Sequence, residues 1–590
     1  MDIYEFTNME NGQKTIADLF DGDKHFIVPN YQRAYAWGEN ELNDFLEDIQ
    51  NQRRDKAYFF GTILFQDIGR KEDGFEHIEI VDGQQRITTL IIFMKVLLNI
   101  LSDIDIGTDY SREKRRYLKD ENFFKLELIP SDNDFFKTYI VNGHDFDEKF
   151  FNTPSQKKLH TAKEFFKDKL KNTELKTLKD YKYKVENTKL LTYSVSDTAE
   201  ATLIFETTND RGKTLTNLEK TKSFLMHKIY LSQKKPFELL ESIHARFSEI
   251  YRILEEIAYK IGEDSVLQYH FIAHLDWSYS RASKDYQKYV PKLKEKINNL
   301  VKSDNPEVTS NFIDEYSREL EESFNVVKEI LKDKNQKVRN LFILERLAFF
   351  YPLMIKCYKY DKSSDKSEYY KIIRLLEIFS FRVYSIGRKP SNTGETKLYS
   401  IARDFSGDFS ELRQTLKDTI IEYVGDKDFE KGLSDSNFYN SFSKLAIRYL
   451  FWNYENHLRR NEQPIAAEMS EQEFSSQDPK TKLTIEHIAS QNPKVSTPEL
   501  KMPELDEDFT DNFLHCIGNL TFDPNSANAS KGNKDVEIKN PKYFVKAPFK
   551  IQNELDGFIE NGKWNRGSIK KRAEKIIGFA MTHWNPLDID

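Results

Sequence analysis

Two stretches near the end of the chain carry residue types that hydrolysis of a phosphodiester requires. Residues 483–493 read L-T-I-E-H-I-A-S-Q-N-P, and residues 513–534 read F-L-H-C-I-G-N-L-T-F-D-P-N-S-A-N-A-S-K-G-N-K. The reaction needs a base to take a proton from water and a cation to neutralise charge on the phosphate and leaving oxygen. A neutral imidazole meets the first need, and carboxylate or amide oxygens can hold the second. His487 is one of twelve histidines, and a lone histidine is usually structural. Its context sets it apart: it follows Glu486 in a short apolar strand-like run, and Gly518-Asn519 opens a second run that leads into an asparagine-rich segment. The plain alternative is a small α/β domain with a coincidental histidine and several turn asparagines.

Three stretches of the first 230 residues have a polar density suited to anions. In I-V-P-N-Y-Q-R-A-Y-A-W, residues 27–37, Tyr31, Gln32, Arg33, Tyr35 and Trp37 follow a strand end closely. Arginine interleaved with aromatics can hold a phosphate while a base stacks beside it, and equally can pack as core. In V-D-G-Q-Q-R, residues 81–86, a strand-like run precedes apolar residues at helical spacing. Asp82 fits as N-cap with Gln85 completing a capping box, and Arg86 falls in the first turn, where backbone amides favour an anion. In F-E-T-T-N-D-R-G-K-T-L-T, residues 205–216, Asn209, Asp210, Arg211 and Gly212 form a polar turn. Thr216 and Glu219 then make a second capping box, opening a helix over Leu218–Ile229. Such turns suit a nucleoside triphosphate, with Asp82, Glu206 or Asp210 available for its magnesium; the same turns without ligand are ordinary helix starts. No G-x-x-x-x-G-K-[S/T] pattern occurs, so this is not a P-loop.

The elements that must position these residues follow from periodicity. Strand-like runs at Phe26–Pro29, Tyr58–Phe65, His77–Val81, Leu190–Val195 and Ala201–Phe205 alternate with helices, so the first part is mixed α/β. From about 236 to 460 apolar residues recur at three-and-four spacing, which predicts a helical middle. Residues 461–482 turn polar, as a loop or linker does. Three domains are expected, over 1–235, 236–460 and 461–590.

Taken in order, V-P-N-Y-Q-R-x-Y-x-W, V-D-G-Q-Q-R-I-T-T-L and F-E-x-x-N-x-R-G-x-x-L resemble the N-terminal domain of GmrSD-type restriction endonucleases and of relatives in phosphorothioate-sensing and other phage-defence systems. That domain is similar to the ParB nucleotide-binding fold. The resemblance implies nucleotide binding and hydrolysis at Asp82, Gly83, Gln84, Gln85 and Arg86, with Asn209 and Arg211 contributing. It also implies sensing of DNA modification through Tyr31, Gln32, Arg33 and Trp37. The terminal region, with E-H-I-x-x-Q and I-G-N-L-T, resembles the HNH, or His-Me finger, nuclease domain of the same proteins, a ββα-metal fold. Carried over, His487 is the general base, Glu486 a metal ligand, Asn519 the asparagine that braces the hairpin and Asn528 the last catalytic member and a metal ligand. Asn525 competes with Asn528 for that place, because F-D-P-N-S-A-N is less apolar than the family's pattern. His515, Lys531 and Lys534 are candidate phosphate contacts; Trp564, Arg572 and Trp584 face either the packing or the phosphates.

The resemblance therefore implies a modification-dependent endonuclease acting on double-stranded phage DNA with Mg2+ or Mn2+. Its nucleotide (GTP, ATP, CTP or UTP) would control cutting. The rival is a nucleotide-regulated, ParB-like DNA-binding protein whose HNH domain is inactive; a third reading makes the N-terminal domain itself the nuclease. Composition bounds these. A chain of 590 residues with 44 Phe and 30 Tyr can bury a large core. Cys357 and Cys516 are the only cysteines, too few for a disulfide framework or zinc cluster, which fits a reducing cytoplasm. The amino terminus has no signal-peptide pattern, and the most apolar stretches, 87–101 and 341–357, read as buried helices rather than membrane spans. The net charge of -8 gives no bulk attraction to DNA, so contacts must be local. Residues 531–575 carry twelve Lys or Arg against six Asp or Glu, either a phosphate-facing surface or an ordinary basic one. The helical middle suits a homodimer interface and intramolecular packing alike.

Overall fold

The run from Gln84 to Ile104 contains no glycine or proline and is apolar almost throughout, so it can only be a helix surrounded by protein. In the computed structural model it is that, with Ile87, Leu90, Ile92, Phe93, Met94, Leu97, Leu98 and Leu101 at 0% exposure. It is the one helix among the described residues long and apolar enough to cross a membrane, and it spends that character as the core of the first unit. The structure describes residues 12–53, 59–72, 74–121, 123–147, 151–195, 216–233, 236–257, 259–275, 277, 279–280, 283–302, 305–345, 347–462, 467–491, 507–524, 539–559 and 564–590.

These fall into two units, 1–271 with 277–331, and 272–276 with 332–590. The chain is mostly helical with a small mixed sheet. In the first unit that sheet has six strands: β1 (Gly12–Thr15), β2 (Lys24–Ile27), β3 (Phe59–Glu72), β4 (Phe75–Asp82), β5 (Leu126–Glu127) and β6 (Lys189–Val195), in the order β1-β6-β3-β4-β2-β5. The β3–β4 and β1–β6 pairs are antiparallel and the other three parallel. Four of the five expected strand runs are present; Ala201–Phe205 lies outside the described residues. Helices α1 (Gln84–Ile104), α2 (Pro154–Leu170) and α3 (Leu175–Asn187) pack together beside the sheet. Helix α4 (Asn217–Ser232) starts at the expected capping box: Thr216 accepts from the Glu219 amide, and the Glu219 carboxylate accepts from the Thr216 amide at 2.8 Å.

The second unit is a helical body carrying a two-stranded antiparallel hairpin, β7 (Leu483–His487) with β8 (Leu520–Pro524), in the register His487 to Leu520. The stretch 341–357 is not one helix. A helix ends at Ile343, Glu345 takes φ 58, and a second helix begins at Tyr351 with Pro352 in its first turn, where a missing amide costs nothing. Two buried carboxylates tie the unit together. Glu377 accepts from the Tyr449 hydroxyl and the Trp584 indole, both at 2.8 Å, while Glu455 accepts from the Lys550 and Ile551 amides. The described part of the expected linker is pinned as well: the Met469 carbonyl accepts from Trp452 and Asn456.

Gly518 sets how closely the final helix, Arg566–His583, approaches the hairpin. A Cβ there would lie 2.2 Å from the Ile569 carbonyl oxygen, a backbone atom held within that helix. Gly518→Val should therefore destabilise the second unit by about 2 kcal/mol or more, read as a fall in the denaturant midpoint of the tryptophan signal.

Candidate functional site

In the second unit the strand end carrying His487 is gripped from both sides. Asn519, at 0% exposure, accepts from the Ala489 amide (2.9 Å) and the Trp564 indole (3.0 Å) through Oδ1, and its Nδ2 donates to the Leu514 carbonyl (2.8 Å). Its backbone carbonyl accepts from the Ile488 amide, extending the hairpin one bond past the strand. Arg572, also fully buried, donates to the Gly518 and Leu520 carbonyls at 2.8 and 2.7 Å. Trp564 and Arg572 thus pack the hairpin against the last helix, and Trp584 stacks on Phe381 with ring centroids 3.9 Å apart. None of the three faces solvent.

The His487 ring is 6% exposed, against Tyr439 at 4.5 Å between ring centroids. The Gln491 amide donates to Nδ1 at 2.6 Å, and Nε2 lies 3.1 Å from Nδ1 of the half-buried His515. With Gln491 as donor, the His487 proton sits on Nε2 and is donated to His515. Burial, followed by the neighbouring His515, Lys444 and Lys539, pushes the His487 pKa down to about 3, so the ring is neutral at pH 7. His515 is lowered too, chiefly by burial. Lys444 lies over the Tyr439 ring and donates to the Tyr439 carbonyl. Tyr439, Lys444 and Gln491 were not singled out from the sequence. Gln491 was visible in E-H-I-x-x-Q, whereas the other two arrive from a preceding helical segment with no local signal.

Glu486, expected as a metal ligand, is paired with a buried ammonium. Its Oε1 lies 2.6 Å from Nζ of Lys539, and the two side chains are 7% and 1% exposed. Among the described residues no three His, Cys, Asp or Glu stand close enough to hold a metal ion. Asn525, Asn528, Lys531 and Lys534 lie outside the described residues.

In the first unit, the Asp82 cap expected from the sequence gives way to Gly83. Asp82 still belongs to β4, and the chain turns at Gly83 with φ 98, a conformation side chains resist. Gln85 does not reach back to form the box: its Nε2 donates to the Ala34 carbonyl and its Oε1 accepts from the Ala36 amide at 2.7 Å. Gln84 donates to the Arg33 carbonyl (3.0 Å) and to Oε1 of Gln32, whose own amide donates to the Val81 carbonyl. Arg86 turns inward to the Phe60 and Thr62 carbonyls and to Asp82. Burial raises the Asp82 pKa and Arg86 opposes the rise. The turn is thus a clamp on the 31–37 loop, with both glutamine side chains buried.

The loop in turn meets helix α4. Arg33 pairs with Glu219 at 2.9 Å, so the loop is tied to the first turn of α4. Tyr31 is held between Lys222, 4.3 Å above its ring, and His244, at 4.1 Å between ring centroids. Burial brings Lys222 down to about 7. Trp37 packs edge-on against Phe45 at the core. Asn209 and Arg211 lie outside the described residues. Beside the loop is a cavity of ≈ 300 Å³, with Arg33, Tyr35, Lys158, Tyr251, Glu255 and Glu263 among its walls. Its size and mixture of aromatic and charged walls suit a small ligand.

The family model described as the GmrSD restriction endonuclease, N-terminal domain, matches residues 16–226. The model described as the GmrSD restriction endonucleases, C-terminal domain, matches residues 423–579. The two matches contain the loop-and-turn cluster and the His487 hairpin respectively. No curated protein matches the chain.

Glu255 gives the cavity a measurable signature. Burial, then Asp132, pushes its pKa up from 4.5 to about 7. The folded state therefore holds this proton more tightly than the unfolded one, and the group's stabilising contribution is lost as pH rises through that window. Glu255→Gln should melt higher than wild type at pH 8 and converge with it only below about pH 4.5 in paired thermal unfolding curves.

Proposed function

Because the chain belongs to the GmrSD-type restriction endonuclease family, we propose that it is a phage-defence enzyme which cuts or nicks modified double-stranded DNA, with His487 as the general base of an HNH-type ββα-metal site. The observation that carries this reading is the buried His487 ring at a strand end clamped by Asn519. A neutral imidazole can accept the proton of the water whose oxygen attacks phosphorus as the leaving oxygen departs, and in His487 the nitrogen that takes it, Nδ1, is open to water once the Gln491 amide releases it. The burial that keeps the ring neutral also weakens it as a base. An arriving phosphodiester anion supplies the opposite charge that restores basicity, so the base is strengthened by its own substrate. Asn519 acts here by position, fixing the strand end rather than touching the phosphate. Mg2+ or Mn2+ belongs to this proposal on the strength of the resemblance, and its chemistry is to neutralise charge on the phosphate.

The first unit is assigned the control of cutting. Its 31–37 loop would read the DNA modification, and a ParB-like domain would bind and hydrolyse a nucleoside triphosphate (GTP, ATP, CTP or UTP). What supports a ligand here is the cavity beside Arg33, whose guanidinium and aromatic neighbours suit a phosphate and a base. The nucleotide changes cutting only if it favours different arrangements of the protein in its bound and free forms. The competing reading, a nucleotide-regulated DNA-binding protein with an inactive HNH domain, leaves the Gln491-His487-His515 chain without a task.

Cleavage of unmodified, glucosylated-hydroxymethylcytosine and phosphorothioate DNA, with each metal and nucleotide, separates these readings. His487→Ala should lower the cutting rate by about 100-fold or more at unchanged DNA affinity. Undiminished cutting by that variant would transfer the active site elsewhere.

A further inference from the structure

Lys539 is an unusual residue to find 1% exposed beside the candidate base. A buried ammonium must find oxygen partners, and this one has three, all from the segment that carries His487. Its Nζ lies 2.6 Å from Oε1 of Glu486, 3.1 Å from the His487 carbonyl and 3.4 Å from the Ile488 carbonyl. On the other side of the same segment, Asn519 takes the Ile488 and Ala489 amides. Acceptors of the strand end are thus bound by the Lys539 side chain, and its donors by the backbone carbonyl and the side-chain oxygen of Asn519. A cation already sits at the one carboxylate adjacent to His487 in the strand.

We propose that Lys539 is a positioning residue for the reaction of His487, a resident cation that occupies Glu486 and makes that carboxylate an anchor of the strand end instead of a divalent-metal ligand. This rests on His487 being the base. It corrects the assignment of Glu486 that the E-H-I-x-x-Q resemblance suggests, on the ground that the ammonium takes the carboxylate oxygen and two flanking carbonyls together. The side chain does not touch DNA or the reacting atoms. It acts by holding the His487 backbone, from which the imidazole direction follows.

The test uses the full-length protein with Glu486→Gln, Lys539→Met, Lys539→Arg, and Glu486→Gln with Lys539→Met combined. DNA cleavage is measured against Mn2+ concentration, and Mn2+ binding without DNA by isothermal titration calorimetry. The proposal expects both charge-removing single variants to lose cutting rate by about 10-fold or more. The double variant should be no slower than the worse single one, and Lys539→Arg should recover part of the rate. Half-saturating Mn2+ and the calorimetric affinity should stay within about twofold of wild type throughout. A Glu486→Gln variant whose Mn2+ affinity falls tenfold, or a Lys539→Met variant that cuts at the wild-type rate or binds Mn2+ more tightly, would overturn it. Should Lys539→Met fail to fold, the Glu486→Gln and Lys539→Arg arms decide between the same outcomes. If His487→Ala still cuts, the base assignment fails; the calorimetric arm then still judges Glu486 on its own.

Discussion

The side chain of Asn519 is the interaction on which the candidate nuclease site depends. An amide offers one acceptor and two donor hydrogens in a plane, and here the acceptor takes two hydrogens, from Ala489 and Trp564, while the donor meets Leu514. Residues 489, 514 and 564 are fixed to one atom group in the buried interior, where an unsatisfied amide costs about 1–3 kcal/mol. No apolar residue of similar size could replace it without orphaning those partners. The rest follows from that fixed point: β7 ends at His487, Ile488 adds one more backbone bond, and the ring is delivered between Tyr439, Gln491 and His515. Gly518 beside it is small because the last helix must come within contact of the same turn.

The first unit solves its positioning problem with the same chemistry. Gln84 and Gln85 leave the start of α1 to pin the backbone of residues 33–36, and Gln32 answers from the loop. The buried helix behind them supplies rigidity, and the amides supply direction. Arg33, freed from the need to hold its own loop, lies against Glu219 and the cavity. Both units thus position a side chain, His487 in one and Arg33 in the other, with neutral amides, which are directional and carry no net charge.

What was legible in the sequence was what local rules decide. The Thr216–Glu219 box is a three-residue pattern and formed as such. The hairpin was readable because His487 and Asn519 each sit at the edge of a short apolar run, and antiparallel pairing brings such edges together. The same local pattern misled at Asp82, where the Gln85 side chain had a better use in a loop 51 residues away. Partners from far along the chain left no local trace. Lys539 reads as one lysine in a basic region, and only the fold buries it against Glu486. Sequence does not reveal which way an aromatic faces, and Trp37 is partly buried with its ring edge-on to Phe45. The 341–357 stretch broke because a continuous apolar run does not report where its backbone turns.

The account stands on the strand end being held by side-chain bonds rather than by the two-stranded ladder alone, and hydrogen–deuterium exchange tests that directly. In Asn519→Ala, backbone amides of residues 483–489 should lose most of their protection, with DNA cutting lost in parallel, while those of α1 in the first unit exchange as in wild type. Unchanged protection of 483–489 together with intact cutting would contradict the account, and would leave the hairpin standing by its own pairing.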